Sequence, residues 1–211
     1  MKQLKTLFIL IFVASIAVAQ DRSDVFREDA KITWLGLDFS KAKLIGDREK
    51  LGSESDIRHL IEAWNNLIVT EGDKFDIAVA IEKKKIEKNI QGTLDNNAEL
   101  DVLSMLSNAE KDYIHLNRDG VAEIVSAYNF KGLSGIGMMF NVESFSKLNE
   151  EASVWVTFIK LDTKEVLFTE RVTGEPRGFG MRNFWGGALF MIVERIKKKE
   201  YPMWRKKYYR P

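Results

Sequence analysis

Two stretches of this sequence concentrate residue types that could do chemistry. The first is Gly174-Glu175-Pro176-Arg177-Gly178-Phe179-Gly180-Met181-Arg182-Asn183. It links a strand pattern to a helix start, where unpaired backbone N–H groups and the positive end of the helix dipole favour an anion. Arg177 and Arg182 add forked cations suited to phosphate or carboxylate. Arg177, Gly178, Gly180, Arg182 and Asn183 are therefore the candidate ligand-binding set. The Gly-Lys-Ser/Thr ending of a full phosphate loop is absent. The simpler reading is close backbone packing, with Gly186 and Gly187 letting the helix approach the sheet.

The second stretch is the basic, aromatic carboxy terminus. Lys197, Lys198, Lys199, Trp204, Arg205, Lys206, Lys207, Tyr208 and Tyr209 are the candidate partner-binding residues. Cations mixed with aromatics would suit nucleic acid, by phosphate neutralisation and base stacking. An export signal at the other end of the chain argues against nucleic acid and for an envelope protein or an anionic envelope surface. Near such a surface each basic residue contributes about 1 kcal/mol, reduced by salt. The structural alternative is a helix end whose cations complement its dipole, followed by aromatics that fold back on the body.

Other chemistries find little support. His59 and His115 are the two histidines, and neither has a neighbour at metal-ligand spacing. A nucleophile elbow needs Gly-x-Ser-x-Gly, but in Gly132-Leu133-Ser134-Gly135-Ile136-Gly137 the second glycine position holds Ile136. Asp95-Asn96-Asn97 starts like a calcium loop, yet Leu100 and Leu106 occupy the positions that need glycine and glutamate. No spacing selects one pair of carboxylates for acid/base work. With no cysteine in the chain, disulfides, cysteine-ligated zinc, iron–sulfur clusters and thiol chemistry are excluded. No catalytic residue, metal or cofactor is expected.

Residues 1–19 read as a secretory signal. Lys2 and Lys5 precede the apolar run Leu7 to Ile16, and Ala17-Val18-Ala19 supplies the small-x-small cleavage pattern. The run is too short to cross a bilayer, which takes roughly 20 apolar residues, and no cysteine follows it for lipid attachment. The expected location is the periplasm or the exterior. Of the 211 residues, 45% are hydrophobic and 11% aromatic, and 32 basic residues face 31 acidic ones, so the chain is not disordered. The balance is uneven. From Arg195 to Arg210 eight basic residues accompany one acid, which leaves the rest of the exported chain at a net of −8.

The elements that must hold these stretches follow from periodicity. Gln20 to Ala30 is polar and aperiodic, the mark of a leader arm. Ile32 to Phe39 is apolar on both faces, as in a strand inside a sheet, and continues towards Leu44 and Ile45. Ser53 caps a helix whose buried stripe is Ile57, Leu60, Ile61, Trp64, Leu67 and Ile68. A helical turn near 75–83 and a weak strand through Ile86 and Ile90 follow, then a turn over 92–97 and a short helix over 98–106. Asn117 caps a helix carrying Val121, Ile124, Val125 and Tyr128 on one face. Strands over 136–145, 152–161 and 165–173 read as an antiparallel meander. A last helix over 182–199 buries Trp185, Ala188, Leu189, Ile192 and Ile196. Trp34, Trp64 and Trp155 are read as core. The order predicts one α+β domain over 31–196, a mixed sheet with helices mainly on one face, and a tail over 197–211.

The segment VWVTFIKLDTKEVLFTERVTGE, with the glycine-rich link and amphipathic helix after it, resembles the carboxy-terminal half of the TolB amino-terminal and curli-secretion lipoprotein group. ITWLGLDF resembles the opening strand of those domains. Gly178, Phe179, Gly180, Asn183 and Trp185 also resemble a Gly-Phe-Gly-x-x-Asn-x-Trp stretch of small exported proteins. The resemblance implies non-enzymatic envelope assembly or partner binding and no catalytic residue. The lipid-modified cysteine of the curli-type members is absent, which sets membrane attachment and pore assembly apart from this chain. The resulting expectation is an exported, non-enzymatic envelope interaction or assembly protein. The alternative is a small anionic-ligand-binding or hydrolytic protein using 174–183.

Overall fold

The computed structural model describes residues 21–46, 48–130 and 132–209. The expected export signal, residues 1–19, lies outside the described residues. The opening apolar run forms β1 (Ile32–Asp38) and, after a break, β2 (Lys43–Ile45). Both run parallel to β5 (Ile136–Ser146), β1 along its first half and β2 along its second. Two short parallel strands lie outside them. β3 (Glu87–Lys88) pairs with β1, and β4 (Leu106–Ser107) pairs with β2. On its other side β5 pairs antiparallel with β6 (Glu151–Lys160), and β6 with β7 (Glu165–Gly174). This is the mixed sheet with a carboxy-terminal meander that the strand patterns predict. Every residue of β1 and β5 is buried, which explains apolar side chains on both faces.

Seven helices in the described residues surround the sheet: α1 (Arg48–Leu51), α2 (Glu54–Thr70), α3 (Ile77–Ala80), α4 (Gln91–Ala98), α5 (Arg118–Ala127), α6 (Met181–Arg195) and α7 (Tyr201–Tyr208). α2 starts in a full capping box. Ser53 Oγ accepts from Asp56 N, and an Asp56 carboxyl oxygen accepts from Ser53 N at 2.8 Å; such a cap contributes about 1 kcal/mol. Ile57, Ile61, Trp64, Leu67 and Ile68 of α2 share one core with Trp185, Leu189 and Ile192 of α6 and with Tyr201 and Trp204 of α7. α5, capped by Asn117 as expected, covers the opposite face with Val121, Ile124 and Val125 against Leu35, Met139, Trp155 and Ile159. The helices therefore lie mainly on one face.

The expected turn over 92–97 is instead α4, and of the expected helix over 98–106 only Ala98, the last residue of α4, is helical. The reason lies outside the segment. β1 has no neighbouring strand between β3 and β4, and helical side chains pair with its bare edge. Thr93 Oγ1 donates to Leu35 O at 2.5 Å, and Asn97 Nδ2 donates to Leu37 O at 2.8 Å while its Oδ1 accepts from Phe39 N at 3.0 Å. Asn65 of α2 bonds Leu37 N and O at 2.7 and 3.0 Å. Buried backbone groups must be paired, and these side chains do what a strand would have done. The expected weak strand through Ile86 and Ile90 shortens to β3.

Neither expected appendage stands apart from the domain. The leader arm makes a 3-10 turn, Asp24–Phe26, that buries Val25 and Phe26 in the main core. Three consecutive carbonyls then accept side-chain donors: Val25 O from Tyr201 Oη at 3.2 Å, Phe26 O from Arg205 Nη2 at 3.4 Å, and Arg27 O from Lys83 Nζ at 2.5 Å. The tail continues from α6 through a π-helical turn, Ile196–Glu200, into α7, with Pro202 in the first turn where a missing N–H is harmless.

Candidate functional site

The link between β7 and α6 is assembled by backbone contact. A Cβ on Gly187 would sit 2.1 Å from Arg177 O, one on Gly174 would sit 2.5 Å from Ala188 O, and one on Gly186 would meet Leu67 Cδ2 at 2.7 Å. Glycine is what lets helix, link and strand touch, in agreement with the packing reading. Arg177 N donates to Phe184 O at 3.1 Å and Phe184 N to Gly180 O at 2.9 Å, so both ends of the intervening loop are tied together. Trp64 Nε1 donates to Arg182 O at 3.1 Å and anchors the loop to α2.

Within that frame Gly178 and Gly180 take φ of +116° and +77°, a conformation that disfavours any side chain. The two reversals turn the residue between them outward. Phe179 is 94% exposed, far beyond any other large apolar side chain described. The candidate anion set does not gather around one point. Gly178 and Gly180 shape the turn, while Arg182 Nη1 donates to Asn183 Oδ1 at 3.0 Å and another guanidinium nitrogen lies 3.5 Å from Glu71. Arg177 is exposed and has no ion pair among the described residues. Gly180 gives α6 no side-chain cap.

The β5–β6 turn lies beside the link. Lys147 Nζ sits 4.2 Å from the centre of the Phe184 ring, and Leu148 is 57% exposed. A cleft of about 430 Å³ between them is lined by Glu150, Glu151, Glu175, Pro176 and Phe184. Glu150 pairs with Lys147 at 3.1 Å.

The carboxy-terminal candidates divide. Trp204 is buried, and Tyr208 stacks on Phe168 with ring centres 4.8 Å apart, so these two belong to the fold. Arg205 pairs with Glu82, Lys207 with Glu170 at 2.8 Å, and Lys198 with Glu194 at 2.6 Å. Lys197, Lys199, Lys206 and Tyr209 remain exposed. The partner-binding surface expected from the whole tail therefore shrinks, because Tyr201, Trp204 and Tyr208 pack into or against the core and half of its candidate cations pair with acids of the body.

Two buried polar clusters escaped the sequence reading. Asp38, fully buried, accepts from Tyr128 Oη at 2.7 Å, from Asn141 Nδ2 at 3.0 Å and from Ser40. Burial, and next the Asp38 charge, push the Tyr128 hydroxyl far above the usual phenol range. The hollow beside Tyr128 measures about 40 Å³, room for water rather than a substrate. Glu143, also fully buried, accepts from His115 N, Leu116 N, Ser153 Oγ and Arg171. Both clusters are closed hydrogen-bonded sets, and they pin loops to the sheet. Sequence spacing could not reveal them, since each draws on three or more elements.

A hollow of about 610 Å³ lies between α2 and α4 and is lined by Arg58, His59, Glu62, Gln91 and Asp95. Arg58 is held there by Glu54 and by Ala98 O, at 2.7 Å each. His59 is exposed, and the His115 ring nitrogens lie 2.7 and 2.9 Å from Asp112 O and Lys41 O. Among the described residues no group of three His, Cys, Asp or Glu side chains could hold a metal ion, and no helix is long and apolar enough to cross a membrane.

These features define an α+β domain with one projecting aromatic tip. No family model matches the chain, and no curated protein matches it. Among solved structures it is similar to a neuraminyllactose-binding hemagglutinin homolog from Helicobacter pylori, at 11% identity over 90% of this chain and 94% of that one, with a TM-score of 0.34. A similarity that low leaves fold and function to be read from this chain's own residues.

Proposed function

We propose that this is an exported, non-enzymatic binding protein of the cell envelope, and that it makes contact through the end of the fold carrying Phe179. The exposure of Phe179 supports the reading. Covering one such side chain contributes roughly 1.5–3 kcal/mol. The tied loop beneath it is already ordered, so little conformational entropy is lost on contact. The export pattern of residues 1–19 supports work in the envelope, and the resemblance to the TolB and curli-secretion group agrees with binding or assembly rather than catalysis. Lys197, Lys199 and Lys206 provide a second, weaker surface for an anionic partner.

The test is a photo-reactive residue installed at Phe179, and in a second strain at Lys206, followed by crosslinking in the native cell. Adducts from position 179 that vanish in an unlabelled control support the reading. No adduct from either position, or a Met1-bearing cytosolic pool by mass spectrometry, overturns it.

A second reading, a small anion bound at Arg177–Asn183, is favoured by the start of α6, which has no side-chain cap, and by Arg177, exposed and without an ion pair among the described residues. A ligand at 100-fold excess over its Kd would stabilise the protein by about 2.7 kcal/mol. No thermal shift with phosphate, nucleotides or acidic sugars retires it.

A further inference from the structure

We infer that His115 is a proton-operated latch between the loop that leads into α5 and the link that joins β1 to β2. The environment of its ring carries the inference. Nδ1 lies 2.7 Å from Asp112 O and Nε2 lies 2.9 Å from Lys41 O, so both nitrogens face carbonyl oxygens at hydrogen-bonding distance. A carbonyl oxygen only accepts, and a neutral imidazole has a single N–H to give. The doubly protonated ring satisfies both contacts. The neutral ring satisfies one and turns a lone pair towards the other oxygen. Loss of a proton therefore releases one of the two tethers, whichever nitrogen gives it up, and imidazole chemistry puts that change between about pH 5 and pH 8. The latch does not depend on the contact proposed for Phe179.

The tethers differ in reach. Asp112 ends the 3-10 turn Glu110–Asp112, three residues before His115, whereas Lys41 lies 74 residues away, on the link just before β2. The loop backbone is held separately. His115 N and Leu116 N both donate to the buried Glu143 of β5, at 2.8 and 2.7 Å, and Leu116 O accepts from Arg171. That backbone stays seated on the sheet while the exposed ring gains or loses its proton. The charges around it come from several elements. The Asp112 carboxyl is held below the usual carboxylate range by the Ser107 hydroxyl first, and further by the charges of Lys43 of β2, Lys111 of the turn and His115 itself. Lys43 Nζ donates to Ser104 O at 2.9 Å. The Glu143 charge is taken up by Arg171 of β7 at 2.7 Å. The link end of the latch is thus a carbonyl, which keeps its accepting character at every pH, and the ring is the part that switches.

The experiment is a nuclear magnetic resonance titration of the nitrogen-15-labelled exported chain from about pH 5 to about pH 8. Two ring N–H signals from His115, slowed in exchange by their hydrogen bonds, are expected at the acid end and one at the alkaline end. The backbone gives the second readout. Ala42 N donates to Phe39 O in the link and Tyr113 N to Glu110 O in the turn, each at 3.0 Å, so their amide exchange reports the two tethered segments. Corrected for intrinsic exchange, protection of at least one should fall about two- to tenfold towards pH 8, the range of a single net hydrogen bond. His115→Gln, which cannot titrate, should abolish that fall, and His59→Gln should leave it unchanged. Near-ultraviolet circular dichroism checks that each variant folds. Absence of ring N–H signals at the acid end, or the same fall in a folded His115→Gln, overturns the inference. If His115→Gln does not fold, the ring signals of the parent chain decide alone.

Discussion

Arg171 of β7 grips Glu143 of β5 at two points across the intervening strand, Nε to Oε2 at 2.7 Å and Nη2 to Oε1 at 3.0 Å. The guanidinium lies over the Trp155 ring, 4.5 Å from its centre, and also donates to Leu116 O at 2.7 Å. Glu143 falls at an irregularity in the β5–β6 register, between Val142 and Ser144. One ion pair thus joins three strands and the loop that leads into α5. Arg171→Ala would leave a buried carboxylate with no cation, at a cost of about 3 kcal/mol, the lower end for a broken buried pair because 30% of the Arg171 side chain stays in water. Urea unfolding measures it. The double variant Glu143→Met with Arg171→Leu should lose less than the two single losses combined, and full additivity would deny the coupling.

Gly186 and Gly187 are adjacent on α6, yet alanine should act differently at each. In an ordinary helix Gly→Ala is worth about 1 kcal/mol of added stability. At Gly187 the new Cβ meets the Arg177 carbonyl at 2.1 Å, a backbone atom that cannot swing away. Gly187→Ala should therefore lower stability by about 1–3 kcal/mol. At Gly186 the obstacle is the end of the Leu67 side chain, which can turn, so Gly186→Ala should cost less. Thermal unfolding of the pair decides, and equal melting temperatures would contradict the close approach of helix and link.

Lys83 gives stability an alkaline dependence. Burial, assisted by the Arg205 charge, lowers its ammonium from 10.5 to about 8. The folded state thus releases a proton that the unfolded chain keeps between pH 8 and 10.5. Below that window the buried charge is a standing cost, and stability rises as pH climbs through it. Tyr113, Tyr128 and Tyr201, with hydroxyls raised mainly by burial, oppose the gain above pH 10. Urea midpoints should therefore increase from pH 8 towards pH 10, and Lys83→Met should flatten the rise. An identical slope in the variant would remove Lys83 as its source.

Glu170 adds an acid dependence of the same sign, stability again rising with pH, but from a favourable charge rather than a costly one. Burial pushes its carboxyl up, but hydrogen bonds from Lys207 and Tyr208 and the charge of Arg118 outweigh that and hold it below 4.5. Its contribution is present above pH 4.5 and is lost as pH falls through the lower native value. Arg118 reaches the same oxygen from α5 at 3.0 Å as Lys207 reaches from α7 at 2.8 Å, so the acid fastens helices from both faces of the sheet at the β7 edge. Glu170→Gln should be less stable at neutral pH and lose less on acidification. Equal acid sensitivity in parent and variant would show that Glu170 titrates unassisted.

By itself the sequence determined whatever repeats within an element. The stripe of α2 with its Ser53 cap, the Asn117 cap of α5, the doubly apolar β1 and the meander of β5 to β7 were all legible, because periodicity and capping are set by near neighbours. Tertiary structure alone decided the rest. α4 is helical because Thr93 and Asn97 meet a bare strand edge about 58 residues away in sequence. The charged tail is mostly scaffold, since Glu82 and Glu170 lie where its cations arrive and the aromatic core has room for Trp204. Within the link, the glycines announced a close approach, but the outward turn of Phe179 depends on where Phe184 and Arg177 come to rest. Exposure belongs to the assembled surface, and only packing between distant segments defines that surface.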